Sequence, residues 1–485
     1  MPTENIRTYD VIVIGAGPVG ENVADRTTAA GLSTVIVESE LAGGECSYWA
    51  CEPSKALLRP ALFRADAVHM PGLDPAVKAP LDVAAVLAHR DRMSAHWKDD
   101  GQVEWIKSAG IDLVRGHGRL AGEREVSVQT PDGDVVRLRA RHAVAVCTGS
   151  SAALPPLPGI DELRPWTSRE ATSAQQPPGR LVIVGAGVVG VEMATAWQAL
   201  GSQVTLLARE DGLLPRMEPF AGELVTERLR EAGADVRFGV SVAEAKRAHG
   251  EDRDGAGEVR IWLSDGSELT ADEILFATGR APRSQDIGLD TVGLEPGDWL
   301  TVDDTLTVTA VPGEWLYAVG DINRRALFTH QGKYQARVAG SVIAARARGE
   351  RLDTGRWAPH SSTADLEAVP GVVVTDPPVA SVGLTAQEAE RLGRDVEVVD
   401  YEIGHLAGAV QYRPDYKGKA RILVDRERQV VVGATFVGPG VDELLYSATV
   451  AITAEVPVER LWHAVPAFPT ISEVWLRLLE TRRDA

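Results

Sequence analysis

The stretch CSYWAC sets Cys46 and Cys51 apart by four residues, and thiols this close can form a structural staple, a metal clip or a redox couple. Only one other cysteine, Cys147, occurs in 485 residues, so no disulfide framework is available and the reducing cytoplasm is the expected compartment. In a regular helix a five-residue step rises about 7.5 Å, beyond the roughly 7 Å within which two Cα atoms can be bridged. Pro53 supplies a distortion, because it cannot donate to the carbonyl of Trp49 and disfavours helical geometry at Glu52. The cysteines can then approach across an irregular turn, with SKALLRPALFRADAV continuing as helix. Cys51 would lie near a helix N-terminus, where the dipole and Lys55 favour a thiolate while Glu52 opposes it. Structural zinc needs four ligands, and no second C-x-C or H-x-H pair completes a site. Cys147 sits in an apolar strand and reads as an ordinary buried thiol. A redox couple is the favoured reading; fortuitous buried thiols and a metal clip are the alternatives.

Such chemistry needs a source of electrons, and the clearest internal feature of the chain supplies one. VIVIGAGPVGENVADRTTAAGLSTVIVE (11–38) and LVIVGAGVVGVEMATAWQALGSQVTLLA (181–208) are near-repeats of strand, G-x-G-x-x-G turn, helix, glycine stop and strand. This is the dinucleotide fingerprint in its required context, present twice. Gly15 and Gly185 permit the tight turn, Gly17 and Gly187 let the backbone approach a pyrophosphate, and Gly20 and Gly190 let helix pack on strand. Two dinucleotides in one chain suggest a flavin and a nicotinamide working in series. Glu38, at the end of the first repeat, can accept hydrogen bonds from an adenosine ribose. The matching position in the second repeat is Ala208, followed by Arg209, which suits a 2′-phosphate and favours NADPH over NADH.

AVAVCTGS (143–150) and ILFATGR (274–280) each read as a strand ending in a Thr-Gly turn, and EWLYAVGD (314–321) as another strand. Beyond about residue 350 come the short strands VVVT, ASVGL, ARILVD and VVVGATFVG, then the helices DELLYSATVAITAE and ISEVWLRLLETRR. The expected fold class is α/β, with two Rossmann-like dinucleotide-binding domains and a C-terminal α+β domain. Pro/Gly-rich joints near 153–159 and 281–283 mark domain boundaries.

A net charge of −19 argues against a nucleic-acid partner and an anionic membrane surface. The N-terminal MPTENIRTYDVIVIGAG holds an apolar run too short for a signal-peptide core, and no stretch is long enough to span a bilayer.

GGECSYWACEPSKALL resembles the redox-disulfide segment of the flavoprotein disulfide reductases, the class I pyridine nucleotide-disulfide oxidoreductases, whose motif runs GGTCLNVGCIPSKALL. Dihydrolipoamide dehydrogenase, glutathione reductase and mercuric reductase are members. The resemblance covers essentially the whole chain in order. It takes in the first fingerprint, the cysteine pair, RGHGRL, the Thr-Gly turn at 148–149, the second fingerprint, ATGRAP, AVGD, VGPG and FPTISE. It implies an FAD domain (1–152 and 281–350), an NAD(P)H domain (153–280) and an interface domain (351–485) that forms a homodimer. By the same resemblance Gly44, Gly118, Thr148, Gly149 and Arg280 join the FAD-site residues, and Gly279 belongs with the cofactor-binding turn after the second fingerprint. Glu38 would hold the adenosine ribose and Asp321 the ribityl chain. Lys55 would sit near flavin N5, paired with Glu192. Cys51 would be the thiolate stacked on the flavin and Cys46 the sulfur that exchanges with substrate.

The departures matter as much. Disulfide-reducing members carry AHPTLSE near the C-terminus, whose histidine is the acid/base and whose glutamate orients it. Here AFPTISE puts Phe468 at the histidine position and keeps Glu473, so the exchange step loses its proton carrier. His463 reads as a surface or packing histidine, and Glu52 as a solvated carboxylate or a substitute acid. Tyr48 and Trp49 read as packing or as an aromatic wall for a flat substrate. Val188 and Val189, with LLAR at 206–209, match mercuric reductase, yet the chain ends RLLETRRDA without that enzyme's cysteine pair. The expected function is an NADPH-dependent FAD oxidoreductase. It would pass electrons through Cys46 and Cys51 to an acceptor that needs no histidine relay: a quinone, a metal ion, an activated disulfide or a protein. A dihydrolipoamide dehydrogenase or small-disulfide reductase is the alternative within the class, and a flavin-binding redox sensor the alternative outside it.

Overall fold

The computed structural model describes residues 6–73, 77–248 and 257–484; the first five residues of MPTEN and Ala485 lie outside it. The chain forms two compact units, one of residues 1–51, 94–151 and 280–366, the other of 52–93, 152–279 and 367–485.

In the first unit a seven-stranded sheet is built on the apolar run of the first fingerprint. Strand Ile6–Ile14 pairs in parallel with Thr34–Glu38 on one side and Val135–Val146 on the other. Val11, Ile12 and Val13 are wholly buried, as are Val35, Ile36, Val144, Ala145 and Val146. Uninterrupted apolar strands of this kind belong to a parallel sheet covered on both faces. Asp112–Arg115 extends the sheet beyond Thr34–Glu38, and the antiparallel strands Glu125–Gln129 and His117–Leu120 extend it beyond Val135–Val146. Leu316–Ala318 adds in parallel against Val144–Val146, bringing the late segment AVGD to the end of the early strands. The helices Pro18–Ala29 and Thr329–Ala347 pack together, and Gly340 is needed there because a Cβ would lie 2.5 Å from Arg26 Cβ.

The second unit repeats the design. Its parallel sheet runs Asp235–Arg237, Gln203–Leu207, Arg180–Val184, Glu273–Phe276, with helix Val188–Ala199 following the second fingerprint. An antiparallel sheet of Val242–Arg247, Val259–Leu263 and Glu268–Ala271 accompanies it. The C-terminal part forms a five-stranded antiparallel sheet, Pro370–Val373, Val379–Gly383, Val431–Val437, Lys419–Asp425, Val396–Glu402, with helices Leu445–Thr453 and Val474–Asp484. These are the two Rossmann-like modules and the terminal α+β portion expected from the motif order.

Around the cysteines the structure departs from the sequence reading. Two helices, Gly44–Tyr48 and Cys51–Ala67, are separated by Trp49, whose φ of −139° is not helical. The break therefore precedes Cys51, and Glu52 is already inside the second helix. Pro53 occupies its first turn, where the missing N–H would have had no intrahelical partner. Among the described residues no helix is long and apolar enough to cross a membrane.

Candidate active site

The first unit gathers its predicted residues at the ends of the parallel strands. Gly15 has φ +103°, and a Cβ there would lie 2.6 Å from the carbonyl oxygen of Cys147, so the first fingerprint turn lies directly against the peptide that opens the Thr148–Gly149 turn. A Cβ on Gly20 would strike the Gly15 carbonyl at 1.9 Å, which keeps the helix close under its own turn. Gly44 approaches the same turn, since its Cβ would fall 2.7 Å from Gly17 Cα, and Gly43 N–H donates to the Ala16 carbonyl at 2.7 Å. Glu38 fastens the turn: Oε2 accepts from Ala16 N–H and Oε1 from Glu40 N–H, both at 2.7 Å. Each carboxylate oxygen keeps a further lone pair for a ribose hydroxyl.

Asp321 follows Gly320, itself packed on Val19 of the fingerprint helix. Ser150 Oγ donates to Asp321 Oδ2 at 2.6 Å, and Arg280 donates through Nε to Ser150 Oγ and through Nη2 to the Ser150 carbonyl, both at 2.6 Å. Burial pushes the Asp321 carboxyl above its ordinary value, against the lowering effect of Ser150 and Arg280. Thr148 Oγ1 is buried with no hydrogen-bond partner among the described residues. An orphaned hydroxyl beside a glycine-lined turn, with two carboxylates at its ends, fits a dinucleotide carrying a pyrophosphate and two polyol segments. Gly118 packs differently: its Cβ would meet Val37 Cγ1 at 3.0 Å and Ile14 Cγ2 at 3.3 Å, so its role on this geometry is to let the sheet close.

Both cysteines are half-buried. Tyr48 anchors the segment between them: it is 2% exposed, its hydroxyl donates to the Ala42 carbonyl at 2.8 Å, and Trp97 Nε1 donates to its carbonyl at 3.0 Å. Tyr48 is therefore a packing residue, with Trp49 edge-on to it at 5.7 Å between ring centroids. Cys51 Sγ lies 3.4 Å from Thr329 Oγ1. Cys147 is buried, and burial pushes its thiol far up, as expected of an inert cysteine.

In the second unit, Gly185 repeats the geometry of Gly15: φ is +132° and a Cβ would lie 2.4 Å from the Ala277 carbonyl oxygen, which sets the fingerprint against the turn holding Gly279. A Cβ on Gly190 would meet the Gly185 carbonyl at 2.1 Å, whereas one on Gly187 or Gly279 would meet nothing within 4 Å. Both thus face open space that a phosphate could enter. Arg209 is 82% exposed, with Glu210 3.2 Å away, on the residues that follow strand Gln203–Leu207. Lys55 Nζ donates to Glu192 Oε2 at 2.7 Å, and Glu192 Oε1 accepts from Val374 N–H at 2.9 Å. Glu473 is buried, paired through Oε1 with Arg477 at 2.7 Å, while Oε2 has no partner among the described residues. Phe468 is 74% exposed, and His463 and Glu52 are exposed as well. Among the described residues no group of three or more His, Cys, Asp or Glu is placed to hold a metal ion.

Sequence reasoning missed Ser150, Trp97 and Thr329. Ser150 follows a recognised Thr-Gly turn and could have been noticed; Trp97 and Thr329 carry no local signature and lie 49 and 278 residues from the groups they touch.

Two fingerprint modules, one beside a cysteine pair, define a redox protein that uses a flavin and a nicotinamide. The pyridine nucleotide-disulphide oxidoreductase family matches residues 9–347, and the family's dimerisation domain matches residues 369–478. The chain belongs to this family, and is an NAD(P)H-dependent flavoprotein disulfide oxidoreductase with a Cys46–Cys51 redox pair. Dihydrolipoyl dehydrogenase 3 of Pseudomonas aeruginosa is 32% identical over 483 residues, 96% of each chain. The mercuric reductase of Staphylococcus aureus is 27% identical over 473 residues, covering 96% of this chain and 81% of its own. Two solved structures share the fold. LpdA from Mycobacterium tuberculosis has a TM-score of 0.81 at 24% identity, over 99% of this chain and 100% of its own. The HOCl-induced flavoprotein disulfide reductase RclA from Escherichia coli has a TM-score of 0.80 at 23% identity, over 97% and 99%.

Proposed function

We propose that this protein is an NADPH-dependent reductase. It would move electrons through FAD to the Cys46–Cys51 disulfide and then to an acceptor that requires no proton relay at the family's histidine position. The observation that carries this reading is Phe468: a phenyl ring, 74% exposed, stands where a proton carrier would be needed, while Glu473, its family partner, is retained and tied to Arg477. Quinones, metal ions, activated disulfides and redox proteins accept electrons from a thiol pair without demanding that relay.

FAD is assigned to 1–152 and 281–350, the nicotinamide coenzyme to 153–280, and subunit contact to 351–485. Gly15, Gly17, Gly44 and the Thr148–Gly149 turn would line the pyrophosphate, Glu38 the adenosine ribose and Asp321 the ribityl chain, with Arg280 and Ser150 fixing the Asp321 carboxyl. When bound, the flavin supplies two-electron transfer between nicotinamide and disulfide. The disulfide opens by taking two electrons and one proton: Cys46 keeps the proton and becomes the exchanging thiol, and Cys51 is left as thiolate. Lys55, held by Glu192, contributes a fixed positive charge four residues along the helix that Cys51 begins. Arg209, exposed and paired only with its sequence neighbour Glu210 among the described ion pairs, is assigned to the 2′-phosphate of NADPH. A homodimer is supported by the dimerisation-domain match and by the exposure of Tyr446, Val465 and Phe468 within it.

The test is steady-state turnover with NADPH and a panel of quinones, ferricyanide, mercuric ion, lipoamide and low-molecular-weight disulfides. Multiple turnovers with a non-disulfide acceptor and little activity on lipoamide support the proposal. The dehydrogenase names of its relatives favour a second reading, dihydrolipoamide oxidation, and dominant lipoamide turnover would establish it in place of the first. Consumption of a single flavin equivalent of NADPH would identify a redox sensor instead.

A further inference from the structure

The hydroxyl of Thr329 lies against the redox sulfur: its Oγ1 is 3.4 Å from Cys51 Sγ. Thr329 opens the 19-residue helix Thr329–Ala347, and the preceding Phe328 provides no side-chain cap for it. The first N–H groups of that helix have no intrahelical acceptors and carry its positive dipole end. Cys51 is itself the first residue of Cys51–Ala67, so its sulfur lies at the start of one helix and against the hydroxyl that opens another.

We infer that Thr329 acts on Cys51 in the reduced enzyme, donating its hydroxyl to the sulfur and holding it as the thiolate. The inference deepens the proposed function and rests on Cys46 and Cys51 being its redox pair. When the S–S bond breaks, two electrons and one proton arrive from the reduced nicotinamide. The proton stays on Cys46 and the negative charge on Cys51. In the structure both cysteines are free thiols and either atom of the contact could donate; a thiolate can only accept, so in that form the contact becomes Oγ1–H donating to Sγ. This hydrogen bond favours the charged form of Cys51 over the thiol. It favours the charge on Cys51, with the proton carried by Cys46, the sulfur assigned to meet the acceptor.

The titratable groups within four residues of the contact on its two helices are Glu52 and Lys55 after Cys51 and His330 and Lys333 after Thr329, while Glu45, on the helix that carries Cys46, is paired with Arg283. All are unchanged in the variants that test the assignment, Thr329→Val, Thr329→Ala and Thr329→Ser. In each, two readouts are followed against pH in the FAD-loaded protein. The first is the long-wavelength thiolate–flavin band after anaerobic two-electron reduction. The second is the rate at which iodoacetamide alkylates Cys51 in a Cys46→Ser background.

Removing the hydroxyl should raise the pH at which the thiolate is half-formed by about one to two units in the valine and alanine variants. The serine variant should stay near the parent. Equal midpoints in all four proteins, or a serine variant displaced as far as valine, would overturn the assignment. Failure of the proposed function is separable. An absent band in the parent, together with a shifted alkylation midpoint in the valine and alanine variants, would keep Thr329 as the thiolate's donor and remove the flavin contact.

Discussion

Lys55 Nζ lies 2.7 Å from Glu192 Oε2, and the carboxylate, 5% exposed, is held from its other oxygen by the Val374 N–H. The lysine belongs to the cysteine helix and the glutamate to the helix that follows the second fingerprint. The pair thus fixes the position of a basic side chain only four residues from Cys51. Replacing Lys55 with Met leaves the Glu192 carboxylate buried without its cation. The lysine is half-exposed, so the stability cost is modest, about 1–3 kcal/mol. Chemical denaturation should show that loss in Lys55→Met, with a smaller one in a Lys55→Met/Glu192→Gln double variant that removes the stranded charge.

Glu21 lies in the first turn of the fingerprint helix, 8% exposed, and its Oε1 has no hydrogen-bond partner among the described residues. Burial pushes its carboxyl up to about 7, with Lys333 opposing and Glu38 reinforcing the shift. An acid whose value is higher in the folded chain than in the unfolded one binds its proton more tightly when folded. Its contribution is complete below about 4.5 and is lost as pH rises through about 7. Glu21→Gln should therefore leave the melting temperature at pH 5 nearly unchanged and raise it at pH 8, by at most about 3 kcal/mol in stability. Parallel melting curves for the two proteins across that range would contradict this.

Arg209 is exposed and its neighbour Glu210 is a weak competitor at 3.2 Å. Arg209→Ala should lower kcat/KM for NADPH about 10- to 100-fold, the worth of charge-assisted hydrogen bonds to a phosphate. The value for NADH should move little. A clear preference of the parent for NADH would remove the basis of the assignment.

On the proposed reading, Phe468→His would supply a proton carrier at an exposed position preceded in sequence by Ala467 and followed by Pro469. Turnover of small disulfides should rise about 100-fold or more if the missing acid/base limits it. Quinone or ferricyanide turnover should be unaffected, and an unchanged disulfide rate would locate the limitation elsewhere.

The fold was legible because the strands that carry it are continuous apolar runs ending in glycine turns that no other residue can make. At Gly15 and Gly185 both the positive φ and the carbonyl at 2.6 and 2.4 Å exclude a side chain. Strand Val396–Glu402 escaped notice because it is the edge of its sheet and carries Glu397, Asp400 and Glu402, so its pattern is neither apolar nor strictly alternating. The helix break at Trp49 was misplaced to Pro53, since a proline in a first turn reads like one that ends a helix. Thr329 and Trp97 illustrate a different limit. Trp97 reaches Tyr48 from a turn in which Ala95, His96 and Trp97 all have positive φ, a conformation costing roughly 1–2 kcal/mol per residue that no local preference announces. Contacts fixed by the closing of the tertiary structure leave no trace in spacing.

The central claim, that Cys46 and Cys51 are a working couple in electronic contact with the flavin, is tested most directly by anaerobic titration of the FAD-loaded protein with NADPH under visible spectroscopy. The account predicts that a long-wavelength band grows in with the first two electrons while the main flavin absorbance persists, and that Cys46 then becomes alkylatable. Bleaching of the flavin by those two electrons, with no such band and no newly reactive Cys46, would contradict it.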